Sequence, residues 1–487
     1  MPIPRPFRLA RLALLASFIL TACGPAASTS TAAPPSTLRP AQGGAPGLLT
    51  GTPANISTPT TTPTPAPQIE VTPDALRGIR IQVWHAFNGP AADVFTTQLA
   101  QFNTLNQWGI VVYQSAHGNY STLFDSVDSE LSSIRRPDLV VALPEQALTW
   151  EAKGAVVDLN PYIYDPTWGL TANEIADIPA AFWMQDQVDG RRLGVPAQRS
   201  ARFLFYNQTW ARELGFTRPP ATAKEFRTQA CAANQSKRQD VDPGNDGKGG
   251  WIVDADPLTA FSWLLAFEGG VTATDGKGYA FASPPNQAAL EFLKGLYDDH
   301  CAWLSTAPTP YEQFAIRSAL FTTGSLAEVS LQAQAMSAAG NVDDWTVLPF
   351  PGPNGAALVT SGSSYTLLQS APEKQLAAQH SLAAWLFVRW LLTPENQAKW
   401  VEATGLLPLR FSALDSLEQY LAAHPQWNIA VGYIPEVQGT PQLASWRMAQ
   451  HILGDGTEFI FRTNLAVEKI PSVLDEMDAT VEEISNK

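Results

Sequence analysis

Apolar and polar residues alternate over Ile79-Arg80-Ile81-Gln82-Val83-Trp84, and the run is rich in β-branched residues, which predicts a strand. After the polar break at His85-Ala86-Phe87-Asn88-Gly89-Pro90 the period changes, and Val94, Leu99 and Phe102 mark a helix over 91–102. Ile110-Val111-Val112-Tyr113 predicts a second strand, and Leu123, Val127, Leu131 and Ile134 share one face of a helix over 120–134. Asp138-Leu139-Val140-Val141-Ala142-Leu143 is almost wholly apolar, as a strand covered on both faces must be. Strand, helix, strand, helix, strand describes an α/β unit with a largely parallel sheet. Ligands in such sheets sit beyond the carboxyl ends of the strands. That rule places 84–88, 115–120 and 143–146 around one cleft.

The first 70 residues follow a different pattern. Arg5, Arg8 and Arg11 precede the apolar run Leu12-Ala13-Leu14-Leu15-Ala16-Ser17-Phe18-Ile19-Leu20, far shorter than the ~20 residues a helix needs to span a bilayer. A basic start, a short apolar stretch and small residues at its end predict a signal peptide over 1–22. Leu20-Thr21-Ala22-Cys23 resembles the bacterial lipobox, which implies acylation at Cys23 and a bilayer partner through that anchor. Residues 24–68 are mostly Ala, Ser, Thr, Pro and Gly with Arg39 as their one charge, so a disordered stalk is expected over 23–70.

The remaining length exceeds a single core of ~250–300 residues, so two domains are expected. Acidic residues outnumber basic ones 45 to 31, a net charge of −14, with no arginine stripe; a nucleic-acid partner is not expected. Cys231 and Cys301 form an even pair in an oxidising compartment and are expected to be bridged. Residues 242–250 resemble part of a calcium loop, but Val253 stands where an EF-hand requires Glu, so a surface loop is expected and no metal site. Ser370 and Glu373 have capping-box spacing before an apolar helix. Thr393-Pro394-Glu395 opens a second helix, which Gly405 ends.

Several segments, in order, carry a family resemblance: 81–87, 137–140, 152–162, Leu193-Gly194-Val195-Pro196, Leu204-Phe205-Tyr206-Asn207, Leu214-Gly215-Phe216 and Pro219-Pro220-Ala221-Thr222. Gly324-Ser325-Leu326-Ala327, 345–349, Tyr365-Thr366-Leu367-Leu368 and Gly405-Leu406-Leu407-Pro408 continue the series. Across 78–480 the chain resembles an extracellular solute-binding protein of family 1, the group that includes maltose and other sugar receptors of ABC importers. The resemblance implies a type II periplasmic-binding-protein fold: two α/β lobes, each a mostly parallel sheet flanked by helices. The first lobe would take 71–199 and 361–405, the second 200–360 and 406–487. It implies a monomer without cofactor or catalysis, held outside the cytoplasmic membrane. Its lobes would close on a small solute and its partner would be a permease.

A sugar needs an aromatic face under its ring and polar groups at its edge. Among 15 tryptophans, Trp84, Trp263 and Trp446 are the positional candidates. The polar candidates are His85, Asn88, His117, Glu145, Arg199, Ser200, Asp256, Glu328, Ser363 and Ser364, with Tyr120 able to stack or to cover the mouth. A glycerol phosphodiester or a peptide is the alternative solute, and a surface glycosidase the remote one. The chain has no Gly-x-Ser-x-Gly elbow, no His-Glu-x-x-His and no phosphate loop.

Overall fold

The computed structural model describes residues 69–371 and 374–485. Cys23, the signal peptide, nearly all of the stalk, and Glu373 of the expected capping box lie outside the described residues.

In the first lobe, strand Arg80–His85 runs parallel to Val111–Ala116 on one side and to Leu139–Ala142 on the other. Ser364–Leu367 then pairs antiparallel with Leu139–Ala142 and with Val195–Pro196, completing five strands. Every residue of Leu139–Ala142 is buried, because helices cover both faces of this central strand. The helix after the first strand spans Gly89–Leu105, and the next spans Tyr120–Glu130, one turn shorter than its periodicity suggests. Helix Pro394–Thr404 has proline in its first turn and ends at Gly405 with φ 67°, a left-handed cap that favours glycine. Helix Ala377–Leu391 begins after the residues expected to cap it.

The second lobe is built on Ser200–Asn207. One edge of this strand pairs with Ala319–Ser325, which continues to Gly249–Ile252 and Ala302–Trp303. Its other edge is shared by Val359–Ser361 near the start and Trp345–Leu348 near the end. Both sheets are therefore mixed, and less parallel than expected. Two strand crossings join the lobes in opposite directions, from Val195–Pro196 into Ser200–Asn207 and from Val359–Ser361 back into Ser364–Leu367, each return strand entering antiparallel, and a third passage follows Gly405.

The two crossings touch. Ala197 N and Gln198 N both donate to Ser363 O, at 2.9 and 3.2 Å. Gly362 permits this approach, since a Cβ there would fall 2.0 Å from Gln198 O. A third segment joins them where Leu407 N donates to Arg199 O at 2.9 Å. Just beyond it, Arg410 and Ser412 bind the carboxylate of Asp177, while helix Pro425–Gly432 packs on strand Trp345–Leu348. One apolar core accordingly runs from the first sheet through Phe203 and Phe205 to Trp345 and Trp427. A second core surrounds Trp251 and Trp263, and a third holds the two C-terminal helices.

Cys231 and Cys301 are bonded, with Cα atoms 4.4 Å apart, and tie helix Ala223–Arg238 to the edge of the second sheet. Residues 242–248 form a surface turn, which Asn234 Nδ2 holds through the carbonyls of Asp246 and Lys248 at 2.8 and 2.7 Å, and Gly249 and Gly250 already belong to the buried strand that follows. Among the described residues no three His, Cys, Asp or Glu are grouped to hold a metal, and no helix is long and apolar enough to cross a membrane. The disulfide closes 70 residues, so replacing Cys231 and Cys301 together by Ser should cost about 2–5 kcal/mol of stability. Urea unfolding should show that loss, and reduction of the unmodified chain should reproduce it.

Candidate functional site

The crossing strands form the floor of a cavity of ≈270 Å³ that both lobes enclose. From the first lobe come the loops at the carboxyl ends of its parallel strands, carrying Tyr120 and Leu143-Pro144-Glu145. From the second come Leu258, Thr440, Trp446 and Gln450, and the floor itself is Gln198 to Ser200 and Ser361 to Ser363.

Arg199 organises this floor. It is fully buried, and its Nη1 donates to Gln198 O at 2.9 Å and Ser363 O at 2.6 Å. Its Nη2 donates to Asp186 at 3.1 Å and to Ser364 Oγ at 3.0 Å. Burial lowers the guanidinium pKa, and Asp186 opposes that shift. Period-two alternation sends Gln198 and Ser200 out on either side of it. Gln198 Nε2 donates to the Tyr120 hydroxyl at 3.2 Å, and Ser200 Oγ is buried with no partner among the described residues.

Glu145 is set by its helix. Pro144 begins Pro144–Glu151, and Gln146 closes the first turn on Leu143 N and donates to Tyr120 O at 2.7 Å. Glu145 is left 6% exposed in the cavity wall, and no ion pair holds it among the described residues. Burial raises its pKa, opposed by its own helix backbone and by the distant charge of Arg447. Trp446 opens helix Trp446–Arg462 and, 2% exposed, reaches the cavity lining while packed against Phe261 and Tyr279.

The other expected residues lie elsewhere. Trp263 does not reach the cleft. It is fully buried against Phe226, Trp251 and Phe350, because helix Pro257–Ala266 turns that side to the second sheet. His85 is a core residue: its ring meets Gln114 at 3.1 Å, accepts from Phe87 N and packs on Phe95, and burial lowers its pKa. Trp84 and His117 pack against each other with ring centroids 4.5 Å apart and planes tilted by 34°, away from the cavity lining. Asp256 caps helix Pro257–Ala266 through Leu258 N and Thr259 N. With Asp254 and Glu328 it surrounds Arg202, at 3.4, 2.6 and 3.8 Å, a cluster in the second-lobe wall. Glu328 also accepts from Tyr311 Oη at 2.5 Å and Ser325 N at 2.6 Å. Asn88 precedes the first helix without capping it through its side chain, and lines a separate cavity of ≈880 Å³ that shares the wall residue Leu406 with the first. Asp186, Gln198, Leu258 and Gln450 were not singled out in the sequence. Of these, only Gln198 carried a signal, by adjoining Arg199.

Two mixed α/β lobes joined by crossing strands, with a cavity between them at that junction, define a two-lobed binding protein. The chain belongs to the bacterial extracellular solute-binding protein family, whose profile matches residues 97–428. A binding protein of Brucella abortus is 20% identical over 349 residues, 70% of this chain and 79% of its own. The Xanthomonas citri sugar-binding protein MalE has a similar structure, with a TM-score of 0.69, 22% identity and coverage of 83% of this chain and 97% of that one. The cyclic α-maltosyl-1,6-maltose binding protein of Arthrobacter globiformis gives 0.67 at 18% identity, over 83% and 98%. Mycobacterium tuberculosis UgpB in complex with glycerophosphocholine gives 0.65 at 18%, over 84% and 99%.

Removing one partner of a buried ion pair leaves an uncompensated charge, a loss of about 3–5 kcal/mol. Asp186→Ala should therefore destabilise the protein by that order in urea unfolding. A loss below about 1 kcal/mol, as for an exposed pair, would remove Arg199 from its organising role.

Proposed function

We propose that this protein is the lipid-anchored binding component of an ABC importer, capturing a neutral saccharide between its lobes and delivering it to a membrane permease. The observation that carries the reading is Glu145, a buried carboxyl without an ion pair, in a cavity that both lobes line and that also holds Trp446 and Tyr120. Saccharide hydroxyls donate to such a carboxyl, and an indole at the wall suits a ring face. The sugar-binding titles of the Xanthomonas and Arthrobacter structures agree with it.

A glycerol phosphodiester is the competing solute, by likeness to UgpB. A phosphate requires converging cationic donors. The guanidinium in this cavity is Arg199, whose Nη atoms already bind Asp186, Ser364 and two carbonyls, and Glu145 repels an anion. The saccharide is favoured on that ground. Binding both lobes in the closed arrangement drives hinge closure, since only interactions present in one state shift a population. Acylation at Cys23 holds the monomer beside its permease at a raised effective concentration. The reading includes no chemistry on the solute.

A thermal-shift screen of neutral sugars, sugar acids, phosphodiesters and peptides tests it, because a ligand of the native state raises the melting point by mass action. A neutral sugar should raise it, and Glu145→Gln and Trp446→Ala should each remove the shift. A phosphodiester acting alone would overturn the saccharide reading.

The raised pKa of Glu145 gives a second, ligand-free prediction. The folded state binds this proton more tightly than the unfolded state, so stability falls as pH rises from the usual carboxylate range through the folded pKa. Without ligand, Glu145→Gln should melt above the unmodified protein at pH 7, and the difference should vanish toward pH 4. Equal melting points at pH 7 would show that the carboxyl carries no burial penalty.

A further inference from the structure

A cavity of ≈610 Å³ lies wholly in the second lobe and shares no lining residue with the cleft cavity of ≈270 Å³. It is enclosed by the turn 242–248, the end of helix Pro284–Asp298, the strand Ala302–Trp303 with the residues after it, Gln313, and Asn464 beyond helix Trp446–Arg462. Two side chains on its lining carry a buried polar atom with no partner among the described residues: the indole Nε1 of Trp303 and the Oε1 of Gln313. The strand adds unpaired groups of its own. Ala302–Trp303 stands at the edge of its sheet, and its neighbour binds it through Cys301 O, which accepts from Trp251 N at 3.0 Å, and Trp303 O, which accepts from Val253 N at 2.9 Å. Alternation along a parallel ladder then turns the N–H and C=O of Ala302 to the open edge. A buried polar group without a partner is costly to the fold, so a ligand that supplies the missing bond gains by it.

Charges on the lining select neither sign. Lys248 has no ion pair among the described residues, and its ammonium lies 5.8 Å from the centroid of the Trp303 ring, where it would repel a cation. An anion would meet Asp298, already paired with Lys294, and the carboxyl ends of two helices. Hydrocarbon would leave Trp303 Nε1, Gln313 and the Ala302 backbone unpaired. A hydroxyl both donates and accepts, so it answers the indole, the strand edge and the Gln313 amide whichever way that amide is turned. We propose that this cavity is a second binding site, for a neutral polyhydroxylated molecule, either a saccharide or a linear polyol. The site goes beyond the cleft reading and does not rest on it. Its residues belong to one lobe, so occupancy needs no closure of the lobes.

Calorimetric titration with glucose, maltose and sorbitol tests this, in a protein whose cleft carries both Glu145→Gln and Trp446→Ala. At least one of the three should still bind saturably. Gln313→Leu and Trp303→Phe, each added to that protein, should weaken the binding about tenfold, as the loss of one hydrogen bond does. Leucine is close to glutamine in size and removes an unpaired carbonyl, so Gln313→Leu should melt no lower than its parent, which separates loss of the site from loss of the fold. Absence of saturable binding by all three compounds overturns the inference, and so does binding that both substitutions leave intact. Binding of gluconate alone, or of N-acetyl-trialanine amide alone, overturns it too, since Lys248 or the strand edge would then be the determinant. The saccharide reading of the cleft fails separately, when no sugar's binding depends on Glu145 or Trp446, whatever this cavity takes.

Discussion

Arg199 sets the constraint on which the junction of the lobes depends. A charge removed from water costs several kcal/mol unless paired and hydrogen-bonded; here the side chain is entirely enclosed and paired with Asp186, and of its nitrogens Nε alone has no partner among the described residues. Its partners come from every strand at the junction: Gln198 in its own crossing, Ser363 and Ser364 in the other, and Asp186 ahead of both. Its own carbonyl accepts from Leu407 in the third segment. The planar fork of a guanidinium tolerates little change in those positions, so the register of the two crossings is held at one point. On the proposed reading of hinge closure, bending between the lobes would take place around that point.

Carboxylates near the cleft are held in different ways, and Asp256, raised by burial yet engaged by Arg202 and two backbone amides, shows that the direction of the shift alone does not mark a site. Burial would raise the pKa of Asp254, but Arg202 and the hydroxyls of Thr323 and Thr259 hold it below its ordinary value. Glu328 is likewise kept low against burial by Tyr311 and the Ser325 turn. Both are satisfied within the chain. Burial raises Glu145, and Arg447 acts on it only at a distance. An acceptor left in that state is one to which a ligand adds something.

The first lobe was largely legible, because its strands are short, apolar and separated by helical periods. The second lobe was less so. Its long strand takes different partners along its two halves, and no local pattern records that. The tryptophans show where local reasoning ends. Trp263 stands in Pro-Leu-Thr-Ala-Phe-Ser-Trp-Leu-Leu-Ala, a helix apolar on all sides, so no face identifies which residues meet the sheet. Trp446 opens an amphipathic helix whose buried side reads plainly from Ala449, Leu453 and Ile460. Arg199 could be named from its place between Leu-Gly-Val-Pro and the next strand. Asp186, 13 residues earlier, could not, since their pairing is tertiary. The aromatic wall of Tyr420, His424 and Trp427 carries no motif at all, and only packing brings it to the cleft.

The magnitude of the contacts across the cleft bears on how the proposed closure is driven. Arg447 Nη2 of the second lobe donates to Ser121 Oγ of the first at 2.7 Å, in an exposed position. Gln442 Nε2 donates to Met184 O, also at 2.7 Å and also exposed. Hydrogen bonds of this kind contribute about 0.5–1.5 kcal/mol each, less where water competes. Moving a two-state equilibrium from 1:99 to 99:1 requires about 5.5 kcal/mol. The two bonds together fall short of that, so they orient a closed arrangement without enforcing one. On the proposed reading, the larger share comes from a solute touching both lobes, through Glu145 and Tyr120 on one side and Trp446 and Leu258 on the other.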